Sequence, residues 1–259
     1  MYTINQCALC FSSDVVTNPA ELYPFVQHRM TGLAPASGRA LIPTQVLRCS
    51  SCGFAHSNVR FTLQEEQAFY SNYGRDDYLD QRCYYEGEHM RHYFLHTRLS
   101  SNALRLAEFS GFLARYFPGD STPLRLLDFG GLGLTVPRRW AACQYMSSDL
   151  SGVSGMAEGF SVWDSLPVDF LISQQCLEHV SDPRSLWLHM VQQVSPGGWI
   201  YIEVPNEHNY GSGHIHEHIN GFNQSSLDYL ASIAPVRVVY SGVDTSNWVL
   251  LAQVVGGSV

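Results

Sequence analysis

The sequence predicts an α/β fold built on a parallel sheet. Three apolar runs each end in glycine or polar residues, as buried parallel strands do when they lead into a turn. They span residues 124–128, 168–173 and 199–206. A segment with helical character separates the second run from the third, and the order of strand and helix favours a layered α/β domain.

The first apolar run ends on Asp128 and breaks at once into glycine, at Gly130, Gly131 and Gly133. A strand that ends in such a turn can carry a ligand on its backbone N–H groups. About twenty residues later a second short strand closes on Asp149, the position from which such folds grip ribose hydroxyls. These residues together predict a nucleotide-binding site.

Four segments carry a resemblance to a known family. They are the glycine turn after Asp128, the triplet Asp149-Leu150-Ser151, the segment 177–183 (Leu-Glu-His-Val-Ser-Asp-Pro) and the turn 196–198 (Pro-Gly-Gly). In this order they resemble class I S-adenosylmethionine-dependent methyltransferases over roughly residues 100–259. The resemblance implies a Rossmann-like sheet of seven strands and S-adenosylmethionine as cofactor, with Leu150 and Gln174 joining Asp128, the three glycines and Asp149 as cofactor-binding residues.

Two features depart from the family pattern. Leu132 stands where a glycine is expected, and the segment between Asp149 and Asp169 is too short for a full helix and a third strand. We therefore expect the third strand to be short or absent.

Composition limits the function classes. The chain has 259 residues, 45% hydrophobic and 15% charged, with a net charge of -8 and a pI near 5.7. All basic residues besides histidine are arginine, which excludes lysine chemistry such as Schiff bases. The acidic balance argues against a nucleic-acid partner. No apolar run is long enough to cross a membrane and no signal pattern begins the chain, so we expect a cytoplasmic protein.

Four cysteines form two CxxC pairs, Cys7 with Cys10 and Cys49 with Cys52. Two such pairs can supply the four thiolates of a tetrahedral zinc site. Disulfides and a redox CxxC motif are the alternatives. The cytosol disfavours disulfides, and a redox motif would need only one CxxC pair. We predict a zinc-ribbon-like module at 1–60. The other cysteines, Cys83, Cys143 and Cys176, are interpreted as buried small hydrophobes.

Residues 61–100 form an aromatic-rich connector. We expect a helix at 63–70, a loop at 72–78, and amphipathic helix from 88 to 117 with a break near 100–102. The connector and the CxxC pairs resemble a subset of the family associated with sugars, glycans and other small metabolites. We interpret the connector as a helical lid; the alternative is that its rings only join the zinc module to the methyltransferase domain at 101–259.

The segment 207–222 is rich in histidine. His214, His216 and His218 alternate, so an extended segment would direct them to one side and a metal site is one interpretation. The sequence His216-Glu217-His218 also resembles a Tyr-His-Glu-His segment of sugar C-methyltransferases, although Ile215 replaces the tyrosine. For His216, Glu217 and His218 this resemblance implies acid/base chemistry. An inert loop is the third interpretation.

We therefore predict methyl transfer to a small molecule. His218 is the first candidate for the general base and His179 the second, with Glu217 and His216 as assisting residues; His179 could instead only line the cofactor pocket. Two alternatives remain at this point. One is RNA base methylation, which the acidic charge disfavours, and the other is a non-catalytic partner protein that no longer binds cofactor. The sequence does not indicate an oligomeric state.

Overall fold

The computed structural model describes most of the chain. The described residues are 1–32, 42–73, 75–94, 98–117, 125–130, 140, 144–148, 161–162, 165–207 and 214–256.

The described strands, helices and one 3₁₀ turn follow in chain order: β1 (Tyr2–Thr3), β2 (Val15–Leu22), α1 (Pro24–Thr31), β3 (Pro43–Cys49), β4 (Ala55–Ser57), β5 (Val59–Arg60), α2 (Leu63–Tyr70), α3 (Asp76–Glu86), α4 (His89–His92), α5 (Arg98–Tyr116), β6 (Arg125–Phe129), β7 (Gln144–Ser148), β8 (Ser161–Val162), β9 (Val168–Gln174), the 3₁₀ turn (Leu177–His179), α6 (Pro183–Gln192), β10 (Val194–Pro205), β11 (His214–Ile215), β12 (Asn220–Gly221), α7 (Gln224–Ser232), β13 (Val236–Asp244) and β14 (Asn247–Val254).

The large sheet has the strand order β13-β14-β10-β9-β6-β7-β8. Strands β10, β9, β6, β7 and β8 pair in parallel, whereas β14 is antiparallel to both β10 and β13. Because the parallel strands run the same way, β6, β9 and β10 end at one edge of the sheet, where ligands of such folds bind. The predicted α/β class is confirmed. The third strand of the predicted series, β8, has two residues, as the short spacing indicated.

A second sheet has the order β11-β2-β3-β4-β12. Strands β2, β3 and β4 form an antiparallel meander from the N-terminal region. The outer strands come from the histidine-rich segment: β11 pairs in parallel with β2, and β12 pairs antiparallel with β4. The small sheet thus draws strands from both the predicted 1–60 module and the predicted 101–259 domain. The domain boundaries themselves stay a prediction.

The two sheets are joined by a shared hydrophobic core. One buried cluster contains Leu171 of β9 and Ile200 of β10 together with Leu9 and Phe54, which flank the cysteine pairs. Burial of apolar surface stabilises both parts at about 25 cal/mol per Å². The cysteine-bearing segments are therefore packed against the large sheet.

The start of α6, after the turn that follows β9, is stabilised by an N-cap residue and a proline. The Asp182 carboxylate accepts a hydrogen bond from the Ser185 N–H at 2.9 Å, and Pro183 occupies the first helical turn. An N-cap carboxylate satisfies a backbone donor that the helix leaves open, and proline there loses no hydrogen bond. This start fixes where the preceding 3₁₀ turn lies.

Two local predictions were wrong. The loop predicted at 72–78 ends early, because α3 begins at Asp76, whose carboxylate and that of Asp77 lie in the first turn. Acidic side chains there interact favourably with the helix dipole. The break predicted near 100–102 is absent from α5, which runs from Arg98 to Tyr116. Its serine and asparagine residues weaken a helix only modestly, so the amphipathic pattern prevails.

The segment of helical character between the second and third apolar runs, which the sequence predicts to end at Val194, forms α6 and ends at Gln192. The Pro-Gly-Gly turn is accommodated inside β10 as a register shift between Val194 and Trp199. Two β-rich runs joined by a polar turn, 236–240 and 248–254, predict an antiparallel hairpin at the edge of the sheet, and β13 and β14 confirm it.

Among the helices in the described part of the chain, none combines the length and apolar character that crossing a membrane requires.

Candidate active site

The turn after β6 has the geometry of a ligand-binding loop. Asp128 near the end of the strand is buried, and Gly130 follows with φ of +75°. A Cβ built on Gly130 would lie 2.7 Å from the Cys176 sulfur. The left-handed backbone and the close sulfur both require a residue without a side chain. The first predicted glycine is therefore needed by the fold at this point.

Four predicted cofactor residues lie outside the described residues: Gly131, Gly133, Asp149 and Leu150. The structure accordingly places three of the predicted cofactor residues, namely Asp128, Gly130 and Gln174.

Gln174 ends β9 beside a buried carboxylate of β10. Its Nε2 donates to Glu203 Oε2 at 3.1 Å, and the same oxygen accepts a hydrogen bond from the Tyr201 hydroxyl at 2.8 Å. Asn247 Nδ2 donates to the other Glu203 oxygen at 3.1 Å. Burial raises the pKa of Glu203, while these hydrogen bonds oppose the rise. Within the described part of the chain, Gln174 Oε1 is buried and has no partner. Because Gln174 is the last residue of β9, this acceptor belongs to the carboxyl end of the strand.

Two predicted histidines meet beyond the end of β9. The rings of His179, on the 3₁₀ turn, and His218 lie 4.7 Å apart, nearly perpendicular. His179 Nδ1 is 3.1 Å from the Glu217 carbonyl oxygen. A carbonyl only accepts, so Nδ1 carries the hydrogen and Nε2 keeps its lone pair. Burial, and then the charge of His218, lower the pKa of His179 to about 3.

His218 has the opposite electrostatic character. Its Nδ1 donates to Glu207 Oε1 at 2.5 Å. Burial alone would lower the pKa of His218, but the Glu207 hydrogen bond and the negative charges of Glu178 and Glu217 outweigh it and raise this pKa to about 9. Two touching imidazoles thus have pKa values displaced in opposite directions, a pattern common where side chains handle protons.

Glu178 lies close to both histidines. Its side chain is 1% exposed, and neither carboxylate oxygen has a hydrogen-bond partner in the described residues. Oε1 is 3.6 Å from His179 Nε2. Burial raises the pKa of Glu178 to about 7. A buried carboxylate without donors costs free energy, which favours its neutral form; in its charged form Glu178 raises the pKa of His218.

The other two residues of the His-Glu-His segment face different neighbours. Glu217 forms an ion pair with Arg82 at 2.8 Å, and Arg82 also binds Glu86 at 2.7 Å. His216 is exposed, and its ring lies 4.3 Å from that of Tyr23. The ring contacts of His216 and His218 therefore point to separate surroundings. The side chain of His214 lies outside the described residues.

One buried asparagine fixes this segment against the 3₁₀ turn. Asn220 Nδ2 donates to the carbonyls of Leu177 at 2.8 Å and Val180 at 2.7 Å, and its Oδ1 accepts from Arg60 at 2.7 Å. Since Asn220 also belongs to β12, the small sheet positions the histidine pair.

The connector packs on the same turn. Glu66 of α2 accepts a hydrogen bond from the Ser181 N–H at 2.5 Å, and the Tyr70 ring lies 5.7 Å from the His179 ring. The connector rings also pack on one another, as Phe69 and Tyr78 do against Phe25 of α1. The connector therefore contacts both α1 and His179.

The four cysteines of the CxxC pairs converge. The sulfur of Cys7 is 3.6 Å from that of Cys52, and the sulfur of Cys10 is 3.5 Å from that of Cys49. All four sulfur atoms lie within 4.8 Å of one another. A zinc–sulfur bond of about 2.3 Å in a tetrahedron implies sulfur atoms about 3.8 Å apart. The spacing suits four ligands of one ion and is too long for disulfides.

A family model described as "Methyltransferase domain" matches residues 101–234, which is more than half of the chain. The chain belongs to this methyltransferase family. The predicted enzyme class, an S-adenosylmethionine-dependent methyltransferase, is thereby confirmed. A comparison with curated proteins found no match.

The methyltransferase is also similar to solved structures. A SAM-dependent methyltransferase from Aquifex aeolicus has 17% identity, covers 56% of this chain and 89% of its own, and gives a TM-score of 0.45. Magnesium protoporphyrin IX methyltransferase (ChlM) from Synechocystis PCC 6803 with bound SAM has 13% identity, covers 73% of this chain and 96% of its own, and gives a TM-score of 0.49. The N-methyltransferase NodS from Bradyrhizobium japonicum WM9 has 13% identity, covers 58% of this chain and 96% of its own, and gives a TM-score of 0.41. All three scores are below 0.5, so the family assignment rests on the family model.

The described part of the methyltransferase fits a bound cofactor. Gly130 offers a backbone turn that carries no side chain, and Gln174 offers a buried oxygen that has no partner among the described residues. Both lie near the carboxyl ends of adjacent strands, β6 and β9, where nucleotides bind in such sheets.

Three carboxylates of the site were missed by the sequence analysis as functional residues: Glu178, Glu203 and Glu207. Glu203 could have been found, since an acidic residue inside the apolar run of β10 must have buried partners. Glu207 carries no comparable signal, because its importance comes from contact with His218, eleven residues later in the same histidine-rich segment, and no periodicity indicates that contact.

Proposed function

We propose that the methyltransferase transfers a methyl group from S-adenosylmethionine to a small-molecule acceptor and that His218 is the general base. The family resemblance suggests a sugar, a glycan precursor or a secondary metabolite as the acceptor. The observation that carries the proposal is the contact of His179 and His218, with oppositely displaced pKa values, beyond the end of β9.

The cofactor, when bound, supplies a methyl group already activated by a positively charged sulfur. Asp128, Gly130 and Gln174 are proposed to hold it from the described part of the site. Asp149 is proposed as the ribose ligand, with Leu150, Gly131 and Gly133 completing the loop contacts. The remaining task of the protein is to align the acceptor and to remove its proton where it carries one.

His218 is the stronger base of the two histidines. A group with a pKa of about 9 holds an abstracted proton far better than one with a pKa of about 3. The cost is that His218 is mostly protonated at neutral pH, and its competent fraction rises about tenfold per pH unit below 9. His179 is proposed to pack against His218 and to keep it within reach of the acceptor.

We also propose that Cys7, Cys10, Cys49 and Cys52 bind a structural zinc ion. The convergence of the four sulfur atoms supports this assignment. Structural zinc sites use all four positions for protein ligands and contribute directly to folding.

The test of the base is a pH profile of kcat/KM between pH 6 and 10, with acceptors found by screening for transfer of labelled methyl groups. We expect the parental rate to rise with pH and level off near 9. His218→Gln should lose this rise and about 10²–10⁴ in rate, while its S-adenosylmethionine affinity by calorimetry stays unchanged.

A flat parental profile over this range would transfer the base role to His179, which is unprotonated throughout. His189→Ala is the control, because this histidine is exposed on α6 and belongs to none of the proposed sites. It should keep the parental profile.

A further inference from the structure

Glu207 lies just after β10, at the start of the histidine-rich segment 207–222. Its Oε1 accepts the hydrogen bond from His218 Nδ1 at 2.5 Å. The side chains of His218 and Glu207 are 28% and 31% exposed, so water reaches the contact only in part. Among the described residues, this is the one hydrogen bond that the His218 ring makes.

We infer that Glu207 is the positioning residue of the general base: it holds the His218 ring in place through Nδ1 and leaves Nε2 as the nitrogen that takes the acceptor's proton. The inference rests on the proposed function, because it concerns how His218 acts as a base.

A carboxylate on Nδ1 has two effects on a basic imidazole. The hydrogen bond fixes the ring orientation and the tautomer, since Nδ1 must carry its hydrogen. The negative charge also stabilises the imidazolium that forms when Nε2 gains a proton. Both effects favour proton uptake at one defined nitrogen, the arrangement in which a third group orients a catalytic base.

Other charged groups face His218, but none replaces this contact. Glu178 and His179 approach from the 3₁₀ turn, and Glu217 is the preceding residue. The Glu217 carboxylate is engaged by Arg82 of α3. Among the groups that raise the pKa of His218, the hydrogen bond to Glu207 has the largest effect, and Glu178 and Glu217 act through space.

The pKa of His218 can be measured without knowing the acceptor. Histidine-labelled full-length protein is titrated by NMR, and the His218 signal is assigned by its loss in His218→Gln. Glu207→Gln keeps the size and can still accept from Nδ1 but removes the charge, whereas Glu207→Ala removes both. Glu88→Gln is the control for loss of one negative charge, because Glu88 is 85% exposed and lies on the connector.

We expect the His218 pKa to lie near 9 in the parent and in Glu88→Gln, and to fall by about 1–3 in Glu207→Gln, the range typical of losing one close opposite charge. Once an acceptor is found, the rise of kcat/KM with pH should move to lower pH by the same amount. Turnover should fall further in Glu207→Ala than in Glu207→Gln, with KM for S-adenosylmethionine unchanged.

A folded Glu207→Gln whose His218 pKa equals the parental value would overturn the inference, as would a parental pKa near the ordinary histidine value. The first result leaves the base assignment untouched, and that assignment fails separately if His218→Gln turns over at the parental rate. A purely structural role for Glu207 predicts lower thermal stability with no movement of the pH profile.

Discussion

Gly130→Ala should lower the unfolding free energy of the methyltransferase through two effects, backbone strain and a steric contact. The backbone at this position has φ of +75°, and a residue with a side chain pays about 1–2 kcal/mol in the left-handed region. The new Cβ would also lie 2.7 Å from the Cys176 sulfur and 3.1 Å from its Cβ. Overpacking of this kind typically costs about 1–3 kcal/mol. The sum is a loss of about 2–5 kcal/mol in unfolding free energy.

Gly197 provides the matched control for the backbone term. It has φ of +83°, and a Cβ there would meet no atom of the described residues within 4 Å. Gly197→Ala should therefore lose only about 1–2 kcal/mol. Adding Cys176→Ala to Gly130→Ala removes the clashing sulfur, so the double variant should recover most of the contact term and none of the backbone term.

The assay is urea unfolding of the parent and the three variants, combined with calorimetry of S-adenosylmethionine binding. We expect Gly130→Ala to weaken cofactor binding, because the displaced turn no longer presents its backbone to the ligand. The reasoning is refuted if Gly130→Ala costs no more than Gly197→Ala and binds the cofactor as the parent does.

Two further predictions concern the bound groups. Cys49→Ser should lower the zinc content from about one ion per chain and destabilise the protein, measured by metal analysis and thermal unfolding; unchanged values in both would exclude the four-cysteine site. Asp149→Ala should weaken S-adenosylmethionine binding by about 1–3 kcal/mol through loss of a charged partner for the ribose hydroxyls, and parental affinity in the folded variant would remove Asp149 from that role.

The elements of the large sheet were predictable from the sequence because their signals are local. The apolar run of β9 is buried along its length except at Asp169, and such a run identifies a covered parallel strand. The hairpin of β13 and β14 follows from two β-rich runs around a polar turn. The sequence also placed His179 and His218 after strands that end at one edge, and their rings do lie together.

What the sequence did not predict depends on pairing between distant segments. Strands β11 and β12 have two residues each, too few for any periodicity to indicate them. They form because β2 and β4 present open edges. Glu207 was missed for a different reason: it lies only eleven residues before His218, but the contact depends on how the intervening chain folds back, which no local pattern indicates.

The pairing of β11 and β12 with the N-terminal sheet has a consequence for synthesis of the chain. The N-terminal strands leave the ribosome first, but both outer strands of their sheet arrive only when residue 221 has been added. At about 5–20 residues per second, the edges of β2 and β4 stay open for on the order of ten seconds. Open edges invite pairing with other chains. We therefore expect the nascent methyltransferase to need chaperones during the time that these edges are unpaired.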